Sequence, residues 1–346
     1  MFRQKAKRRP RGRRWFERAS LPNSRVRKTR NERASLAFAK MHAGANHELD
    51  EQMTISDSQL VFDTHLDFYK KLRLLTGDEK CDAYYIKEAQ RMHSLCVIDG
   101  LFELLGDAIT LANRIKADDA QFHLRFGVSR RVLLMWHALR DIVRTVDPAR
   151  EVPLPRDDLH RAEASLNLLY INLRGTLDNF AWCLRDFCGD TPAKKMDRMQ
   201  VNLFRDEFVK AINFPEIVEF MSRFSAWNGD LAARRDPAAH RIPLTIPPAI
   251  IDAAARKNYE EAMAEYNAAI EQALKTDPAD HETRLSYFEQ ASVLSDKVDR
   301  VGAFLPVFYH HPREGMVYMY PTIPADVGTL IAIARGLSAA ISAKLN

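Results

Sequence analysis

The stretch DDLHRAEASLNLLYINLRGTLDNFAWCLRDFCG, residues 157–189, constrains the fold more than any other. Leu166, Tyr170, Leu173, Leu177, Phe180 and Leu184 fall on one stripe at about 100° per residue, the period of an α-helix. Neither Pro nor β-branched clustering interrupts the pattern, and Gly189 stands where a helix stop belongs. A helix of this length with a single apolar stripe has to bury that stripe against other helices. Glycine supports the same reading: 13 in 346 residues is about half the usual share of roughly 7 %. Sheet-rich folds need glycine in turns, so the chain is expected to be mainly α.

Further helical segments follow from the same period. They are 56–75, from Asp78 or Asp82 to about 116, and Ser129 to 146 with Ser129 as N-cap. NLFRDEFVKAI comes next, then FPEIVEFMSRFSAWNGDLAARR as one helix. IPLTIPP is extended, because Pro243, Pro247 and Pro248 forbid helix. Two polar, alanine-rich segments joined at Asp277-Pro278 make an antiparallel hairpin, LPVFYHH and GMVYMYPTI pair as short strands, and a final helix starts near Ala325. The expected architecture is a helical bundle of about nine helices with a small two-strand element near the C-terminus.

Charge is divided unevenly. Residues 1–33 hold 14 of the 51 Lys and Arg and only two acids, Glu17 and Glu32; the rest of the chain carries a net −7. The basic character therefore belongs to the tail and not to the body. Three readings of the tail compete: a disordered nucleic-acid-binding arm, a targeting peptide, and an extension upstream of a start at Met41 or Met53. Cys81, Cys96, Cys183 and Cys188 show neither a CxxC pair nor zinc spacing, which suits a reducing cytoplasm. The expectation is a cytoplasmic protein with no membrane span, because the reading finds no apolar run near the roughly 18 residues required. Trp136, Trp182 and Trp227 lie in helical apolar patterns and are expected in the core.

Chemistry concentrates in Arg235-Asp236-Pro237-Ala238-Ala239-His240. Asp before Pro reads as an N-cap and first residue of a new helical turn over 237–241, with free N–H groups able to hold an anion. Arg235 supplies a planar cation suited to phosphate, with Arg234 and Arg241 beside it. His240 titrates near neutrality. Such a set can deprotonate a ribose 2′-OH and stabilise the phosphorane without a metal. The competing reading is a structural turn between helices. On the long helix, Asn167, Arg174, Asp178 and Arg185 fall within about 20° of one line; this is either a solvated edge or a face toward a partner helix or site. Arg174, Asp178 and Asn179 are the second set of candidates. His310-His311 is read as a surface turn, and no cofactor motif is visible.

Arg235, Asp236 and His240, with four residues between arginine and histidine, resemble the signature of the HEPN superfamily, many of whose members are RNases. RRDPAAHRIPLTIPP, LNLLYINLRGTLDNFAWCL and YMYPTIPADVGTL also look like a bacterial family, associated with HEPN-type domains, that brings no known activity; that likeness spans most of 130–335. One departure stands out: the family's helix continues past its histidine, whereas here Pro243 interrupts it. Charge and period divide the chain into a basic, disordered tail over 1–52 and N-terminal helices over 53–150. The hairpin, strands and last helix occupy 247–346, and the resemblance makes 151–246, with the motif, a HEPN-like core. It further implies a homodimer that cleaves RNA without metal, of toxin or antiphage type, held by an antitoxin or regulator. The alternative function is a non-catalytic helical binding or scaffold module.

Overall fold

In a computed structural model, the structure describes residues 82–311 and 315–346, together with Asp63, Leu66, Asp67, Lys70 and Lys71. The chain divides into Met1–Gln52 and Met53–Asn346, and every described residue lies in the second unit. The tail over 1–52 and most of the helix expected over 56–75 lie outside the described residues.

The architecture is mainly α. It comprises α1 (Asp82–Arg114), α2 (Asp118–Phe122), a π-helical turn (His123–Val128), α3 (Ser129–Thr145) and α4 (Arg156–Phe187). Then come α5 (Asp206–Ala211), α6 (Pro215–Ser222), α7 (Ser225–His240), α8 (Ala253–Lys275) and α9 (His281–Asp299). Strands β1 (Val307–Phe308) and β2 (Val317–Tyr318) precede α10 (Met319–Leu345). The strands pair antiparallel, Val307 with Tyr318 and Phe308 with Val317, as the sequence suggests.

The stripe of α4 is the centre of the core: Leu166, Tyr170, Leu173, Leu177, Phe180 and Leu184 are all buried. Burial of each contributes about 1.5–3 kcal/mol before entropy is counted. Helix α3 packs antiparallel on α4, since Gly127 lies against Asn179 while Arg131 lies against Gly175. Helix α10 covers the other side with Ile323, Val327, Leu330 and Leu337. It approaches α1 closely where Gly100 meets Ile331. By length and composition α10 could cross a membrane, which the sequence reading did not foresee. Its apolar positions are buried within this chain, as in a core helix.

Three local expectations change. Ser129 does not cap α3: the helical path runs in from α2 through the π-turn, and the buried Ser129 hydroxyl donates to Leu124 O at 3.0 Å. The helix expected over FPEIVEFMSRFSAWNGDLAARR is two helices, broken between Ser222 and Ser225. Trp227 is buried, but Trp136 and Trp182 are only half-buried, with Arg140 and Arg185 stacked on their outer faces at 4.2 and 4.7 Å.

The segment 241–252 crosses α4 as an extended strap. Asn167 clamps it from both sides: its Nδ2 donates to Leu244 O at 2.9 Å, and its Oδ1 accepts from Leu244 N at 2.8 Å. Glu163 Oε1 accepts from Ile246 N at 3.0 Å. Antiparallel bridges Thr245–Tyr309 and Ile250–Ala303 join the strap to the segment carrying β1.

Candidate functional site

The expected new helical turn after Asp236 does not form. Helix α7 runs unbroken from Ser225 to His240, with Asp236-Pro237 inside it. The motif therefore sits at a helix C-terminal end and offers no free N–H groups for an anion. Tertiary anchoring explains the continuity. Trp227, Leu231 and Arg234 recur at i, i+4 and i+7, one face of a helix; Trp227 and Leu231 are buried, and the Arg234 side chain keeps only 17 % of its surface. An interior proline loses one N–H bond and crowds the carbonyl four residues back, costing about 3 kcal/mol, and the anchoring of Trp227, Leu231 and Arg234 offsets that.

Arg234, expected near substrate, is a core residue. Its Nη2 donates to Asp326 Oδ1 at 2.8 Å. Asp326 also accepts from Trp227 Nε1 at 2.9 Å and from the Tyr170 hydroxyl at 2.8 Å. Burial pushes the Asp326 carboxyl above the usual range, against the pull of Arg234, Tyr170 and Trp227. One acid thus ties α10, α7 and α4 together. The sequence carries a signal for it: Asp326 is the single charged residue between Met319 and Ala334.

Arg235, Asp236, Arg174 and Asp178 do come together. Arg235 Nη1 donates to Asp236 Oδ1 at 3.0 Å. Arg174 Nε lies 3.7 Å from Asp178 Oδ1, its Nη1 donates to Asn228 Oδ1 on α7, and its guanidinium lies over Phe204 at 5.7 Å. The polar line on α4 therefore faces a partner helix at this point. Asp178 keeps 45 % of its side-chain surface. Burial nonetheless raises its pKa, against the pull of Arg174, Arg235 and Arg131, with Asp236 pushing the same way as burial.

Arg131 is the member that sequence reasoning missed. It is seated over Gly175, where a Cβ would overlap its guanidinium, and its Nη1 donates to Asn172 Oδ1 at 3.2 Å. Only the antiparallel packing of α3 on α4 brings it there, so no local signal marks it. Asn179 serves the packing: its Nδ2 donates to Gly175 O at 2.7 Å and its side chain fills the space beside Gly127. Arg241 is exposed. The backbone of His240 is helical, but its side chain and that of Pro237 lie outside the described residues. Five residues along an α-helix rotate by about 500°, so positions 235 and 240 stand roughly 140° apart.

Elsewhere, His310 Nδ1 lies 3.1 Å from Ile242 O, close after the motif. An open groove between α8 and α9 holds about 370 Å³, lined by Glu265, Gln272, Tyr287 and Leu294. Among the described residues, no three His, Cys, Asp or Glu side chains gather as a metal site. No family model, curated protein or solved structure matches the chain.

Proposed function

We propose that the chain is a metal-independent endoribonuclease of HEPN-like type, with a site completed by a second copy. The observation that carries this reading is the half-exposed Asp178 paired with Arg174 at 3.7 Å, with Arg235 and Arg131 near enough to pull its pKa down against burial. Planar guanidiniums in such a group suit the oxygens of a phosphodiester. Asp178 and Asp236 hold the arginines in place until RNA displaces part of that pairing. His240 acts as general base on the 2′-OH and then as general acid on the leaving 5′-oxygen, giving a 2′,3′-cyclic phosphate. Arg235 stabilises the phosphorane.

The helical spacing supports a site shared between two copies. With positions 235 and 240 roughly 140° apart on one unbroken helix, Arg235 of one protomer meets His240 of its partner across a twofold axis. Mixing the inactive variants Arg235→Ala and His240→Ala tests this. In mixed dimers one of the two sites regains both residues, so about a quarter of wild-type cleavage returns in a statistical mixture. If the mixture stays inactive while each variant folds, the shared site is wrong. If both variants cleave as well as wild type, the nuclease reading is wrong.

The second reading is a non-catalytic helical scaffold in which RRDPAAH ties α7 to the core. The buried Arg234–Asp326 pair favours it. On this reading Arg234 is the essential arginine, and Arg235→Ala changes nothing measurable. The antitoxin or regulator expected from the resemblance belongs to the nuclease reading alone.

A further inference from the structure

The π-turn between α2 and α3 carries a second surface feature. Phe122 and Phe126 are large, exposed rings at 57 % and 48 % of their surface, with centroids 5.2 Å apart. Four residues nearly complete one π-helical turn, so the two rings line up along one side. Arg130 lies over the Phe126 ring at 4.9 Å, and Arg125 bonds the Asn113 amide oxygen at 2.6 Å. Neither contact cancels a positive charge. Behind them, His123 stacks on Trp182 with centroids 5.8 Å apart and planes inclined by 26°. The exposed acids Asp118 and Asp119 stand about one helical turn before Phe122, and the arginines follow it.

The same segment turns its other side to α4 and carries one member of the arginine cluster there. Gly127, next to Phe126, lies against Asn179; Arg131, next to Arg130, sits over Gly175 and acts on Asp178. Exposed aromatic rings with flanking guanidiniums match single-stranded nucleic acid, whose bases stack on aromatics while cations follow the phosphates. A duplex hides its base faces and cannot use the rings.

We propose that Phe122 and Phe126, with Arg125 and Arg130, form a base-stacking platform that feeds single-stranded RNA toward the Arg131–Arg174–Arg235 cluster. The proposal rests on the RNA reading above, but its test is separate. Binding of a fluorescent oligouridine and of an RNA duplex is measured by polarisation on the full chain. The salt is about 0.3 M, where attraction by the basic residues 1–33 is strongly reduced. Phe122→Ala/Phe126→Ala weakens oligouridine binding at least about tenfold and leaves duplex binding and circular dichroism unchanged. Phe126→Trp binds at least as tightly as wild type.

Equal oligouridine binding by wild type and the double alanine variant overturns the proposal and leaves the strip as a protein-docking surface. Equal losses on single strand and duplex, or no binding by wild type, overturn it as well. His240→Ala separates the two ideas. If it cleaves like wild type while the double alanine variant loses oligouridine binding, the nuclease reading falls and the platform stands. If it loses cleavage while the double alanine variant binds normally, the platform falls and the nuclease stands.

Discussion

Replacing Asp326 by alanine removes one carboxylate that accepts three hydrogen bonds, from Arg234, Trp227 and Tyr170. The donors remain in the core. Tyr170 is fully buried, Trp227 keeps 6 % of its surface, and the Arg234 side chain keeps 17 %. Breaking a buried ion pair by removing one partner costs about 3–5 kcal/mol, because a charge is left without its counterpart. Each neutral donor left without a partner adds about 1–3 kcal/mol. Part of this is recovered as water reaches Arg234, so the expected loss is about 4–6 kcal/mol. Arg234→Met on top of Asp326→Ala removes both charges and most of the polar demand. The double variant should therefore recover at least about 2 kcal/mol relative to the single-variant sum. Urea unfolding followed by tryptophan fluorescence and circular dichroism measures each value. A loss below about 1 kcal/mol for Asp326→Ala, or strict additivity in the cycle, would refute the claim that one acid ties α4, α7 and α10 together. Arg235→Ala, one residue along and with 24 % of its side-chain surface exposed, should cost only about 1 kcal/mol.

Two further outcomes follow from the packing. Asn167→Ala leaves Leu244 N and O without partners and should cost about 2 kcal/mol; amide exchange at Leu244 should accelerate well before global unfolding, and unchanged exchange would contradict the clamp. Gly127→Ala drives a methyl into the Asn179 side chain and should cost about 1–3 kcal/mol, measured by thermal unfolding, while adding Asn179→Ala should restore most of the loss.

The long elements are legible in the sequence because each repeats one signal many times. Six apolar residues define the face of α4, and all six are buried; the hairpin α8–α9 and the two-strand pair are marked by their flanking Asp-Pro and Gly-bearing turns. Local chemistry misleads where tertiary contacts decide. Asp236-Pro237 has the residues of a helix start, yet Trp227 and Arg234 anchor α7 to Asp326 and the helix continues through it. The π-turn HLRFGV has no local signature, and the closeness of Gly127 to Asn179 within it is a tertiary contact. The meeting of Arg174, Asp178 and Arg235 is partly readable, because the polar line on α4 is visible by period. Arg131 is not, because it arrives from another helix and its seat is the missing side chain of Gly175.

The bridge between Ile250 and Ala303 has a wider consequence. Its two backbone bonds, at 2.7 and 3.0 Å, bring the chain back to its starting point after the excursion through α8 and α9. Gly302, at φ +100° and close against Ile250 O, makes the return tight enough to need glycine. For the rest of the protein, everything between those residues is an appendage on a closed stem. Its length can change, like a replaceable tool head, while the stem keeps the strap and β1 in register across α4.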